Sequence, residues 1–342
     1  MNYIHHMGSM GDLLEMPGRQ GGQPPVLNWD LKPARLEALY GELAKIVLLL
    51  STPTLSRIRS VTKNDNSTWE VLHRPLSYSM NETAQLGTVH RSEIPTTTYG
   101  KASMYFEALA ELHLIHLRSQ TNEANIDADV LAHDFRRKFV PRFLFRKLVR
   151  DQEQRKQWIF HDDSPFPVWC DDFRPENVLV DEAECIAGVV DWEFTYTALL
   201  NFLTRCLGGF SSKSWKIGLK ALITDEVIQK RLLVEDQRLS SRMPDSWQNG
   251  DFWIMYAARN NFAFGTISWK VIDQRFFGPT IYEDDNICSI WRRRLHLLQP
   301  EEKSIMEEYV NLKLKDRNTW RLVWDPDEYA VGWIKRLKIK KE

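Results

Sequence analysis

Three polar residues in the middle of the chain have the types and spacing that phosphoryl transfer requires. Asp172 is followed five positions later by Asn177, and Asp191 comes directly after a later apolar run. In that chemistry one carboxylate accepts or orients the acceptor hydroxyl, while an amide and a second carboxylate hold Mg²⁺ against the nucleotide phosphates. Mg²⁺ is a hard cation that takes a few oxygen ligands and keeps waters, so one Asn and one Asp suffice. The three residues are therefore candidates for a phosphoryl-transfer site.

Two short apolar runs predict a β-hairpin that would position these residues. Asn177 leads into the strand at 178–180, and a second strand at 187–190 delivers Asp191. Such a hairpin would hold Asn177 and Asp191 at its polar end, with Asp172 on the preceding loop. Asp and Asn are also frequent turn residues, and D-x4-N alone occurs by chance in many proteins. The complete pattern, which continues through two apolar runs to D-W-E, is much rarer and favours the catalytic interpretation.

The residues next to Asp172 bear on which carboxylate reacts. Asp171 is the competing carboxylate, but the spacing to Asn177 favours Asp172. Pro175 is expected to stiffen the loop, because its ring restricts the backbone. Arg174 could steady the Asp172 carboxylate through its positive charge.

Composition and charge exclude several classes of protein. The 342 residues are 43% hydrophobic and 27% charged, as in an ordinary globular chain. The net charge is -1, from 45 basic and 46 acidic residues, so global charge provides no case for nucleic-acid or membrane binding. The longest apolar run, IVLLL at 46–50, is far shorter than a bilayer span. Four scattered cysteines without CxxC spacing argue against disulfides or zinc and indicate a reducing, cytoplasmic compartment.

Helical periodicity dominates much of the remaining sequence. Residues 1–27 are rich in Gly, Met and Pro and are predicted to form a loop. Apolar residues at helical spacing predict helices over 33–50, 99–117 and 134–156. After residue 200 the chain is expected to be mostly helical to about residue 318.

Two features of these helices have more than one interpretation. The helix over 134–156 carries nine Lys or Arg residues, which form either a solvated face or a surface that binds an anion or a partner. Nearby acidic residues balance that charge and favour the solvated face. His113 and His116 lie near the apolar side of an earlier helix, where core histidines are more common than ligands.

The stretch CDDFRPENVLVD…GVVDWEF, within residues 170–194, resembles the catalytic hairpin of the aminoglycoside/choline kinase-like phosphotransferase family, especially its large fungal branch. The family motif reads roughly H-G-D-x-x-x-x-N, followed by I-D-W-E. The resemblance implies that Asp172 is the catalytic base, Asn177 a magnesium ligand and Asp191 the principal magnesium ligand. It also implies ATP and Mg²⁺ as cofactors and a small-molecule hydroxyl as the acceptor.

The resemblance covers most of residues 28–315, although only the central hairpin carries diagnostic chemistry. Segments 69–87, 235–246 and 250–278 also resemble the fungal branch. The fold that this implies is α+β and protein-kinase-like, with a mostly helical C-terminal lobe and a small catalytic β-hairpin.

Two departures from the family pattern concern the first motif residue and the nucleotide-binding lobe. Cys170 stands where the family commonly has His, a residue that supports the loop instead of reacting. No strand–loop–strand pattern with a phosphate-gripping Lys precedes the first helix, so we expect the N-terminal nucleotide lobe to be largely absent. Asp12–Arg19 resembles instead the hinge that contacts adenine, which makes Glu15 and Met16 the candidate nucleotide contacts.

Two functions from different classes fit this pattern. The first is an ATP- and magnesium-dependent phosphotransferase acting on a hydroxyl of an unknown small molecule. The second is a catalytically inactive kinase-like lobe that acts as a binding or scaffold protein, because losing the phosphate clamp removes much of the catalysis. We expect a flexible segment with a hinge-like remnant over 1–27, the kinase-like lobe over 28–332 and a basic tail over 333–342. An apolar face left by the missing lobe predicts oligomers.

Overall fold

The described part of the chain is an α+β protein in two compact units, which confirms the α+β class that the sequence predicts. The computed structural model describes residues 3–18, 26–28, 30–63, 69–70, 73–86, 89–120, 127–163, 165–203, 239–278, 289–318 and 331. About 60% of these residues are helical, and the strands form small antiparallel sheets. The first unit comprises Met1–Leu76, Thr98–Lys101 and Asp163–Phe252, and the second comprises Ser77–Thr97, Ala102–Asp162 and Trp253–Glu342.

Helices of very different lengths account for most of the described residues. In chain order the α-helices are α1 Met10–Leu14, α2 Pro33–Ser51, α3 Tyr78–Gln85, α4 Ala102–Ser119, α5 Ala128–Arg150, α6 Gln152–Arg155, α7 Leu200–Leu203, α8 Leu239–Gln248, α9 Asp251–Arg259, α10 Phe264–Ile267, α11 Asp273–Phe276, α12 Ile290–Arg294 and α13 Pro300–Asn318. A π-helical segment, Ser268–Ile272, joins α10 to α11. Short 3₁₀ turns lie at Arg91–Glu93, Pro175–Asn177, Trp192–Phe194 and Leu295–Leu297.

The strands are short and pair antiparallel. They are β1 Gly8–Ser9, β2 Thr54–Leu55, β3 Thr62–Lys63, β4 Trp69–Glu70, β5 Phe166–Cys170, β6 Val178–Val180, β7 Ile186–Val189 and β8 Thr195–Thr197. One three-stranded sheet has the order β1-β6-β7, another has the order β2-β5-β8, and β3 pairs with β4. The first two sheets contain the predicted hairpin, β6–β7, and the strand that leads to it, β5, so together they position the candidate residues.

The N-terminal segment is partly ordered, so the prediction of a loop over 1–27 is wrong for Gly8–Leu14. Ser9 caps α1 by accepting the backbone N–H of Asp12 at 3.1 Å, and the Asp12 carboxylate accepts the Ser9 N–H at 2.7 Å. This reciprocal pair satisfies two backbone donors that a helix start leaves unpaired. Met10 is completely buried, and α1 contacts strand β6. These contacts anchor the N-terminal segment in the first unit.

The helices over 33–50, 99–117 and 134–156 are confirmed as α2, α4 and α5, with ends shifted by a few residues. Pro33 occupies the first turn of α2, where its missing N–H costs no hydrogen bond. In α5, Pro141 lies inside the helix and cannot donate to the Arg137 carbonyl one turn earlier. The Trp269 indole N–H donates to that carbonyl at 3.1 Å instead. Helix α5 therefore continues through Pro141 with the affected carbonyl satisfied from outside.

The second unit has a core built mainly by α4, α5 and α13. Its buried side chains are Leu114, Leu117, Phe135, Phe139, Val140, Phe143, Leu144, Trp269, Ile290, Trp291, Leu298, Met306 and Val310. His113 and His116 are also fully buried in this unit, which confirms their prediction as core residues. The basic residues of α5 pair largely with carboxylates, including Arg136 with Glu307 and Arg146 with Glu111, so the solvated-face interpretation holds for them.

Several sequence features lie outside the described residues. These include the basic tail at 333–342 and residues 235–238 of the segment at 235–246. None of the helices in the described part is long and apolar enough to span a membrane.

Candidate functional site

The predicted hairpin brings Asn177 and Asp191 to the same end of one sheet. Strands β6 and β7 pair Val178 with Val189, and the Val190 N–H donates to the Asn177 carbonyl at 2.9 Å. Asn177 therefore lies directly before one strand and Asp191 two positions after the other. Their proximity is fixed by backbone pairing and does not depend on side-chain packing.

Asp172 is joined to this end of the hairpin through Asn177. The Asn177 side-chain amide donates to the Asp172 carbonyl at 3.0 Å and to its carboxylate at 3.2 Å. Arg174 approaches the other carboxylate oxygen of Asp172, with its Nε 3.4 Å away. The structure thus joins Asp172 to Asn177 by side-chain bonds, while strand pairing brings Asp191 to the same hairpin end. The expected role of Arg174 as a neighbour of Asp172 is confirmed.

Asn177 is held by its own turn as well as by the hairpin. It ends the 3₁₀ turn Pro175–Asn177, where Pro175 occupies the first position. The side chain is only 4% exposed, and its Nδ2 group is used by Asp172. Among the residues that the structure describes, no donor bonds to Asn177 Oδ1. This oxygen is therefore available to a metal ion.

Asp191 has an unusual backbone conformation for a non-glycine residue. Its φ of 59° and ψ of 54° lie in the left-handed helical region, which Asp and Asn adopt more readily than other side chains. The residue is exposed, and no side chain in the described ranges bonds to its carboxylate. The following turn is closed by the Trp192 indole N–H, which donates to the Val189 carbonyl at 2.9 Å. Such conformations concentrate at functional sites, where surrounding structure maintains them.

The competing carboxylate, Asp171, has a structural role. Its backbone N–H donates to the Phe194 carbonyl at 3.0 Å, and its carboxylate accepts the Trp169 indole N–H at 3.1 Å. These bonds tie Asp171 to strand β5 and to the turn that precedes β8. The remaining carboxylate, Asp172, is the one that meets Asn177, as the spacing predicted.

Cys170 supports the loop from inside the fold. Its side chain is 2% exposed, and burial raises the pKa of the thiol to about 11. A thiol with such a pKa stays protonated at neutral pH and is a poor nucleophile. Cys170 also pairs with Thr195 in the register of β5 and β8, so its contribution is to fix the start of the loop that carries Asp172.

The two candidate nucleotide contacts lie in a small antiparallel bridge. Glu15 pairs with Leu27, and the Met16 N–H donates to the Val26 carbonyl at 2.9 Å. The Met16 amide is therefore engaged within the protein, and adenine could bond to it only by displacing Val26. The assignment of Glu15 and Met16 to nucleotide binding stays a prediction.

The sequence interpretation missed the contact between the N-terminal helix and the turn that ends in Asn177. A methyl group at Gly11 would lie 2.9 Å from Glu176 Cγ and 3.3 Å from its Cα, so α1 is packed directly on that turn. Strand β1 adds Gly8 opposite Val180 and Ser9 opposite Leu179. The capping-box spacing from Ser9 to Asp12 was the available sequence signal for this element.

The donor set at the hairpin end is small and consists of oxygen atoms. The described ranges contain no cluster of three or more His, Cys, Asp or Glu residues placed to hold a metal. The Asn177 amide oxygen and the Asp191 carboxylate are the two oxygen donors at this end that could hold a metal together with water or phosphate oxygens. That set suits Mg²⁺, which keeps several waters, better than zinc, which prefers nitrogen and sulfur.

Comparison with known proteins adds no relative. No family model, no curated protein and no solved structure matches the chain. The functional interpretation consequently rests on the geometry around Asp172, Asn177 and Asp191 and on the motif resemblance in the sequence.

Proposed function

We propose that the protein is a phosphotransferase of the aminoglycoside/choline kinase-like type with a protein-kinase-like fold. It would transfer the γ-phosphate of ATP to a hydroxyl group of a small molecule. The observation that carries this proposal is the position of Asn177. Its amide bonds to Asp172, and its carbonyl accepts the N–H of Val190, the residue next to Asp191.

Asp172 is the proposed catalytic base. Its carboxylate would accept the proton of the acceptor hydroxyl as the hydroxyl oxygen bonds to the γ-phosphorus and ADP leaves. Two neighbours orient this carboxylate: the Asn177 amide and the Arg174 guanidinium. General-base assistance of this kind contributes about 10²–10⁴-fold to the rate.

Asn177 Oδ1 and the Asp191 carboxylate are the proposed magnesium ligands. The pair fits the ion because both atoms are hard oxygen donors at the same hairpin end, and neither is bonded to another residue in the described part of the chain. When bound, Mg-ATP supplies the phosphoryl group and a counter-charge for the phosphates. The left-handed backbone at Asp191 fixes the direction in which its side chain leaves the backbone.

The test is thermal unfolding of the purified chain with Mg-ATP, compared between wild type, Asp191→Asn and Asp181→Asn. Asp181 is a matched control, since it lies at the opposite end of the same hairpin and accepts the N–H groups of Ala183 and Cys185. Ligand at 100 times its dissociation constant stabilises by about 2.7 kcal/mol. We expect wild type and Asp181→Asn to show the shift and Asp191→Asn to lose it. Equal shifts in all three proteins would contradict the assignment of Asp191.

A second candidate function is a non-catalytic binding protein that retains a divalent-ion site. One observation favours it: the Met16 N–H is already bonded to Val26, so the candidate adenine contact is occupied. Titration with Mg²⁺ alone separates the two functions. Binding of Mg²⁺ that depends on Asp191, without any binding of ATP, would favour the non-catalytic function. Hydrolysis or transfer of the γ-phosphate, lost in Asp172→Asn, would favour the enzyme.

A further inference from the structure

The second unit contains a cavity of about 160 Å³ between helices α4, α5 and α13. Each helix contributes residues three or four positions apart, which lie on one helical face. The cavity opens to solvent beside Ile305, which is 39% exposed. Its apolar and aromatic lining consists of Leu114, Ile115, Phe139, Phe143, Ile305 and Tyr309. A cavity of about 150 Å³ lined by Leu, Ile and Phe is known to bind benzene, so this cavity has room for one six-membered ring.

Three aromatic side chains of the lining are in contact with one another. The rings of Phe139 and Phe143 are stacked with centroids 5.4 Å apart, and the ring of Tyr309 meets Phe139 edge-on at 6.2 Å. Aromatic rings at such separations attract one another beyond the effect of burial alone. The lining therefore favours a ligand with an aromatic ring over an aliphatic one of similar size.

Two arginines and a glutamate complete the lining: Arg118, Arg146 and Glu111. The guanidinium carbon of Arg146 lies 4.0 Å from the Phe143 ring centroid, which holds this cation at the wall of the cavity. One of its nitrogens, Nη1, contacts the Glu111 carboxylate at 3.3 Å from each oxygen. In the part of the chain that the structure describes, no acceptor bonds to Arg146 Nε or Nη2. A stacked guanidinium keeps such in-plane N–H groups available to an anion.

Nε and Nη2 form one edge of the guanidinium, the arrangement that binds both oxygens of a carboxylate. Arg136, on the same helix, shows this use of the edge, because its Nε and Nη2 donate to the two carboxylate oxygens of Glu307 at 2.7 Å and 2.5 Å. Arg146 has the same edge at the cavity and no protein carboxylate on it in the described ranges. A ligand carboxylate fits this position.

The carboxylates near the cavity have other partners, so a bound anion would not leave them unpaired. Arg150 also donates to Glu111, at 3.0 Å, and would keep its charge compensated if Arg146 turned towards a ligand. Arg118 is paired with Glu93. The long contact between Arg146 and Glu111 is therefore the interaction that a ligand can replace at least cost, since no buried charge loses its only partner.

We propose that this cavity binds a small aromatic carboxylate with a single ring, of about the size of benzoate. The ring would lie beside Phe139, Phe143 and Tyr309, and the carboxylate would accept from Nε and Nη2 of Arg146. None of the lining residues belongs to the candidate phosphotransferase site, so this proposal is independent of the proposed function.

Fluorine NMR with 4-fluorobenzoate tests the proposal in solution. Wild type should broaden the fluorine signal, and unlabelled benzoate should reverse the broadening. Fluorobenzene has the ring without the charge and should bind roughly tenfold more weakly or less, because it lacks the charge-assisted hydrogen bonds. Equal binding of the two fluorinated ligands would refute recognition of the carboxylate. Absence of any binding at millimolar 4-fluorobenzoate would refute the site as a whole.

Two pairs of variants locate the bound ligand. Arg146→Met should weaken the binding of 4-fluorobenzoate roughly tenfold, whereas Arg136→Met should not, since Arg136 lies outside the lining and pairs with Glu307. Ile305→Trp should abolish binding by filling the cavity. Leu312→Trp is its matched control, because Leu312 is also exposed on α13 and does not line the cavity. Binding that persists in Ile305→Trp would overturn the proposal, and this pair decides the matter even if Arg146→Met does not fold.

Discussion

Substitution of Gly11 by Ala tests how closely α1 is packed on the turn that positions Asn177. An ideal Cβ at Gly11 would meet Glu176 at three atoms, its Cγ at 2.9 Å, its Cδ at 3.2 Å and its Cα at 3.3 Å. The exposed Glu176 side chain can rotate away, but its backbone cannot. Part of the clash must therefore be relieved by moving α1 or the turn.

The expected magnitude follows from two opposing effects. Replacing a helical Gly by Ala stabilises by about 0.5–1 kcal/mol, because the unfolded chain loses conformational freedom. Overpacking in a well-packed contact costs about 1–3 kcal/mol. Gly41 is the matched control, since it also lies in a helix and a Cβ there meets nothing within 4 Å. Gly41→Ala should therefore be more stable than wild type, and Gly11→Ala less stable than Gly41→Ala by roughly the overpacking cost of 1–3 kcal/mol.

Chemical unfolding in urea measures this difference. The double variant Gly11→Ala/Glu176→Ala separates the cost of the side-chain contact from that of the backbone contact. It removes Glu176 Cγ and Cδ but leaves Cα in place. Full recovery in the double variant would assign the cost to the side chain, and partial recovery would assign the remainder to the backbone. If Gly11→Ala is as stable as Gly41→Ala, then α1 is not packed on the turn as described, and its role in positioning Asn177 is refuted.

Other perturbations test separate parts of the structure. Trp269→Phe leaves the Arg137 carbonyl without its indole donor and should lower the free energy of unfolding by about 1–3 kcal/mol in urea. The pKa of His116 is lowered to about 3, so the unfolded chain binds the additional proton between pH 6.5 and 3. Stability should fall as the pH decreases through that window, by up to about 1.4 kcal/mol per pH unit from this histidine, and the slope should be smaller in His116→Gln. Iodoacetamide at neutral pH should label the exposed Cys185 and spare the buried Cys170, whose pKa is raised to about 11; equal labelling by peptide mass spectrometry would contradict the burial of Cys170.

The hairpin and the long helices could be predicted from sequence because their signals are local. Apolar triplets on either side of a short turn define β6 and β7, and helical spacing from Pro33 onward defines α2. Both were found within one residue of the expected bounds. The proximity of Asn177 and Asp191 followed from that hairpin alone.

Features that depend on distant partners could not be predicted in this way. The loop assignment of 1–27 missed α1, whose Ser9–Asp12 capping signal is only four residues long and whose stability comes from packing on Glu176. The bond from Asn177 to Asp172 depends on a side-chain rotamer, and the left-handed conformation of Asp191 depends on the turn that follows it. Sequence patterns carry no information on either.

The pairing of β1 with β6 has a consequence for how the chain folds during synthesis. Ser9 and Leu179 are neighbours in the sheet although they lie about 170 residues apart in the chain. At a translation rate of about 5–20 residues per second, the first strand waits roughly 10 to 30 s before its partner leaves the ribosome. Closing so long a loop is also entropically slow. Gly8 and Ser9 should therefore be among the last residues to gain protection from amide hydrogen exchange, and chaperones that bind nascent chains would encounter this segment unpaired.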